Sequence, residues 1–106
     1  MPNVRPLNKD KYQISEYRFR ELYYWCLQYK EWENGHEQYR KLVEQTAIET
    51  DPDISRYIIK AVTEKDITYN YLKMVMKIPC GQNMYYDRRR KFYCLLSKKK
   101  YELDII

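Results

Sequence analysis

Two glycines and four prolines are all the glycine and proline that this chain of 106 residues contains. A fold of many short strands needs tight hairpins, and those draw heavily on glycine, so a sequence this poor in it is confined to a few longer elements. The breaks fall at Asn34-Gly35, Asp51-Pro52 and Pro79-Cys80-Gly81, and the stretches between them space their apolar residues as helices do. The expectation is an all-α fold: a single helical domain over residues 1–106, of about five helices, with one modest core.

Pro2 and Pro6 keep the first residues out of a helix, so 1–10 read as a flexible arm. Ser15 is a candidate N-cap for an aromatic helix over 15–33, with Phe19, Leu22, Tyr23, Cys26 and Tyr29 on one side. Trp25 and Trp32 lie on a second side. Large aromatics on two faces imply either a central helix or a contact surface, and Tyr24, Trp25 and Trp32 are the candidate interaction surface. A homodimer contact is the first reading of that surface, and coverage by the arm or the C-terminal tail is the other.

Residues 36–50 carry a weaker stripe of Tyr39, Leu42, Val43 and Ala47. Asp51 as N-cap with Pro52 in the first helical position then opens a helix whose Ile54, Tyr57, Ile58, Ala61 and Val62 face the core. Thr68 caps a short helix with Tyr69, Leu72, Val75 and Met76 on one face. After the break at 77–81 a long helix resumes over 82–99, and 100–106 trail as a tail.

The net charge of +5 is localised. Residues 1–50 hold eight basic and eight acidic side chains, residues 51–76 four and four, and residues 77–106 eight and three, so the whole excess lies in the last segment. A basic end on a neutral body is what a polyanion partner requires. A short helix, a turn and a longer basic helix over 68–99 is also the order of a helix-turn-helix, whose second helix enters the major groove. With Tyr85, Phe92, Leu95 and Leu96 turned inward, Gln82, Asn83, Tyr86, Arg89 and Arg90 are expected on the free face. Asn and Gln suit adenine edges and Arg suits guanine, while Arg89, Arg90 and Lys91 suit phosphates. Either Cys80 or Gly81 must cap this helix. A run of basic residues is also what an ordinary solvated helix face contains.

The segment "ITYNYLKMVMKIPCGQNMYYDRRRKFYCLLSKKK" resembles the C-terminal helix-turn-helix of small transcriptional regulators of Gram-positive phages and prophages, the RinA and ArpU-like group, itself similar to sigma-factor region 4. The resemblance implies a sequence-specific regulator of transcription with Tyr85, Tyr86, Arg89 and Arg90 on its recognition helix. The chain departs from that pattern in lacking a Ser or Thr before the helix and in placing Met84 where a small polar residue is common.

Three cysteines without a Cys-x-x-Cys pair and one histidine, His36, provide no metal-ligand spacing, so no metal and no cofactor are expected. Nothing resembles an acid/base pair or a phosphate loop, and a Tyr85 or Tyr86 nucleophile lacks the partners it would need, so neither catalysis nor a small-molecule substrate is expected. No apolar run reaches the roughly 20 residues of a membrane span, which with the polar N-terminal sequence predicts a cytoplasmic protein. The expected partners are double-stranded DNA, a second copy of the chain and host RNA polymerase. The rival to a DNA reader is a non-catalytic interaction module that grips a host complex through its aromatic N-terminal helix.

Overall fold

A computed structural model describes residues 14–104, and among them five α-helices, one 3-10 helix and no strand form. The arm at 1–10 lies outside the described residues. Helix α1 spans Glu16–Cys26, and Ser15 caps it, its hydroxyl accepting from the Arg18 amide at 3.0 Å.

The first helix stops seven residues short of the expected Glu33, and residues Tyr29–Glu33 form a 3-10 helix instead. The reason is Trp32. In a continuous α-helix, residues 25 and 32 would be about 10 Å apart along the axis. Folding back brings the two indoles to 4.5 Å between ring centroids and sets Trp32 on Tyr39 at 5.4 Å. Trp32 is thereby buried, and burial of so large a side chain outweighs a few more helical hydrogen bonds.

Helix α2, Glu37–Thr50, packs most extensively against the last helix and against α3, Ser55–Thr63. Its buried Thr46 and Thr50 return their hydroxyls to the carbonyls of Leu42 and Thr46, at 2.6 and 2.8 Å, so neither is left unsatisfied. Asp51 accepts from the Asp53 amide at 3.0 Å as a cap would, but only an isolated turn closes there and α-helical bonding begins at Ser55. The α3 core stripe of Ile54, Tyr57, Ile58, Ala61 and Val62 is buried as its spacing predicts.

Helix α4, Tyr69–Met74, is capped by Thr68, whose hydroxyl accepts from the Tyr71 amide at 3.1 Å. Lys77 then adopts a left-handed φ of 62°, and the Ile78 amide donates to the Leu72 carbonyl at 3.0 Å, reversing the chain. Only part of the expected α4 stripe faces the body: Leu72 is buried, whereas Val75 is open to solvent.

Helix α5, Gln82–Asp104, absorbs most of the expected tail, although residues 105–106 lie outside the described set. It is the central helix. From Tyr85 to Tyr101 every side chain except Lys98 is buried or half-buried. Its inward face is Tyr85, Phe92, Tyr93 and Leu96, with Leu95 only half-buried. Tyr93 is fully buried because α1 crosses that flank and sets Phe19 edge-on to its ring at 4.9 Å.

The Tyr93 hydroxyl has no hydrogen-bond partner, and burial raises its pKa, with Cys26 adding to the rise. A stranded buried hydroxyl is destabilising, so Tyr93→Phe should raise the unfolding free energy by about 1 kcal/mol in a urea titration. A loss of stability instead would mean that the hydroxyl is satisfied.

Candidate nucleic-acid interface

The basic run of α5 is largely spoken for within the fold. Arg88 reaches back to Asp51, 37 residues earlier, with Nε 3.0 Å from Oδ2, and also holds Asp87 at 2.8 Å. Arg89 stands one helical turn after Tyr85 and one before Tyr93, so it shares their side of the helix, and its guanidinium lies over the rings of Tyr93 and Phe19 at 5.5 and 5.8 Å. That corrects the expectation that Arg89 faces away from the body. Tyr86 is half-buried against the core and meets Tyr85 edge-on at 4.9 Å. Arg90 and Lys91 are half-buried.

The C-terminal lysines divide similarly. Lys99 binds Glu49 at 2.6 Å and holds that carboxyl below its usual range. Lys100 lies over the rings of Tyr101 and Trp25, at 4.9 and 5.1 Å, and Arg18 sits 3.5 Å over Tyr101. The end of α5 therefore covers part of the second face of α1.

Of the six residues expected to meet DNA, Gln82 and Asn83 are the two that stand exposed. They occupy the first turn of α5. Gly81 is its N-terminal cap residue, its carbonyl accepting from the Tyr85 amide at 3.0 Å, which settles the choice between Cys80 and Gly81. The turn before it is tied down by the Tyr69 hydroxyl, which donates to the Cys80 carbonyl at 2.6 Å, and by the buried Ile78.

Exposed in the same stretch of chain are Lys73, Met74, Val75, Lys77 and Met84, and α4 is joined to the start of α5 through Tyr69, whose ring lies 5.8 Å from that of Tyr85. Lys73 and Lys77 were not among the expected contacts. A signal for them does exist in the sequence: the twenty residues from Ile67 to Tyr86 contain two lysines and no carboxylate. No family model, curated protein or solved structure matches the chain.

The expected interaction surface does not form as one patch. Tyr24 is 64% exposed, Trp25 is half-buried and Trp32 is 3% exposed, so Trp32 belongs to the core. The other exposed rings and long apolar side chains include Tyr17, two turns before Tyr24 on α1, and Tyr71 and Met74 on α4.

Burial pushes the Cys26 thiol up to about 12, against the opposing pull of Lys100, and raises Cys80 as well. Both are pushed away from thiolate character. Burial also pushes the Tyr85 hydroxyl up to about 12, although Arg89 pulls the other way, which is the reverse of an activated nucleophile. Among the described residues no group of three or more His, Cys, Asp or Glu side chains is arranged to hold a metal ion, and no helix is long and apolar enough to cross a membrane.

Proposed function

We propose that this chain is a non-catalytic, sequence-specific DNA-binding regulator that meets the duplex with the end formed by α4, the 75–81 turn and the first turn of α5, not with the flank of α5. The observation that carries the reading is a segment that exposes Gln82, Asn83, Lys73 and Lys77 and contains no carboxylate from Ile67 to Tyr86. Lysines and the positive end of a 23-residue helix attract phosphates, and Asn or Gln in the first turn has the donor and acceptor pair that reads adenine. The resemblance of this segment to the RinA and ArpU-like regulators supports the same reading and a phage or prophage role in transcription.

Fluorescence anisotropy with mixed genomic duplexes over a salt series is the test. Binding should weaken steeply with salt, and Lys73→Ala and Lys77→Ala should each reduce the slope of log K against log salt by about 1. Gln82→Ala and Asn83→Ala should leave the slope and blunt the preference between sequences. Undetectable binding at low salt would remove the DNA reading.

A second reading takes its support from α4, where Tyr71 and Met74 and the C-terminal cap residue Val75 are exposed. Apolar side chains three and four residues apart suit a protein contact, host RNA polymerase among the candidates. In that case Met74→Asp should abolish capture of the partner while DNA binding is absent throughout.

A further inference from the structure

We propose that α1 docks against α1 of a second copy of this chain, antiparallel, about a twofold axis passing between Arg20 and Glu21. The warrant is a pattern of exposure. From Tyr17 to Tyr24 the residues open to solvent are Tyr17, Arg20, Glu21 and Tyr24, and the four between them are buried or half-buried. They occupy one helix face, at i, i+3, i+4 and i+7.

The order Tyr, Arg, Glu, Tyr is its own complement. A twofold axis at the centre of the stripe sets Tyr17 opposite the partner's Tyr24, and Arg20 opposite the partner's Glu21, with every contact made twice. Ring meets ring at both ends, and cation meets anion on both sides of the axis. The parallel arrangement lacks this property, because it stacks Arg20 on the partner's Arg20. Tyr17 and Tyr24 are 83% and 64% exposed, so each has most of a ring to bury.

Both charges already have neighbours within the helix: Arg20 holds Glu16 at 2.5 Å and Glu21 lies 3.5 Å from Arg18. Those pairs are solvent-exposed, contribute little, and leave the outer side of each group able to take a second partner. Four side chains cover less than a standard interface, so the dimer is weak and depends on concentration. This replaces a dimer built on Trp32, which is inside the core. It does not rest on DNA binding.

Sedimentation equilibrium of the full chain without DNA, from about 10 µM to about 1 mM, is the test. A monomer–dimer equilibrium is expected in that range. Arg20→Glu alone sets two carboxylates facing each other twice across the axis and should weaken the dimer at least tenfold, and Glu21→Arg alone should do the same with two guanidinium groups. The double variant Arg20→Glu/Glu21→Arg restores opposite charges across the axis and should recover the dimer. Within one helix the double variant is the worst of the three, because it opposes Glu16 and Arg18 with like charges, so recovery cannot come from an intramolecular effect. Circular dichroism of each variant establishes that it is folded. A parent monomeric throughout, or single reversals without effect, or a double variant weaker than either single one, would each overturn the proposal.

Discussion

Trp32→Ala is expected to lower the unfolding free energy by about 3–5 kcal/mol, measured by urea titration with tyrosine fluorescence or far-ultraviolet circular dichroism. The indole is 3% exposed and is surrounded by the rings of Trp25, Tyr29 and Tyr39, at 4.5, 6.1 and 5.4 Å. Removing it loses the transfer free energy of a large side chain and leaves a void that three stiff rings collapse into poorly. Domains of this size are stabilised by about 5–15 kcal/mol in total, so the variant should lose a large fraction of its stability. The 3-10 helix would lose its reason to fold back, and helix content near residues 27–33 could rise in whatever structure survives. A loss below about 1 kcal/mol would mean that the packing of this corner is not what holds α1 to α2.

The error that Trp32 exposes is informative about what a sequence can reveal. Caps and stripes depend on residues within a turn or two of one another, and so Ser15, Thr68 and the α3 stripe could be read locally. The same spacing argument put Trp25 and Trp32 on a second helix face, because it assumed that the helix continued to Glu33. Whether it continues is decided by Tyr39, which lies beyond the Asn34-Gly35 break and whose ring is in contact with both indoles. No pattern internal to residues 15–33 carries that information.

Arg89 failed for a different reason. Taking Tyr85, Phe92, Leu95 and Leu96 as the inward stripe leaves Arg89 opposite it, whereas Tyr93 turns inward as well and Arg89, four residues from both tyrosines, shares their side. The aromatic richness of this chain allows that placement, since the faces of Tyr93 and Phe19 accept a cation that an aliphatic core would reject. The break at Pro79-Cys80-Gly81 locates the start of α5 to within a residue, and the bond from the Tyr85 amide to the Gly81 carbonyl is what fixes it, with Gln82 and Asn83 in the first turn. Lys73 and Lys77 were passed over because a pair of lysines four apart is unremarkable until the absence of neighbouring carboxylates is noticed.

Arg88→Met should destabilise the fold by about 2–3 kcal/mol, and this effect separates structure from DNA contact within the basic run. Arg88 bridges α5 to the corner between α2 and α3, where the Asp51 side chain is only 10% exposed and that of Arg88 29%. Methionine keeps much of the length and apolar stem but strands the carboxylate, whose other oxygen is already committed to the Asp53 amide. Asp51→Asn in the same background removes the stranded charge while keeping an oxygen for that amide, so the double variant should recover about 1 kcal/mol or more. If the double variant is no better than Arg88→Met, the pair is not coupled and Arg88 acts through its packing alone. The coupling bears directly on how a loss of DNA affinity is to be interpreted. Arg88→Met would weaken binding by depleting the folded chain, in proportion to the unfolded fraction and with the salt slope intact, whereas Lys77→Ala would change the slope in a chain that remains folded.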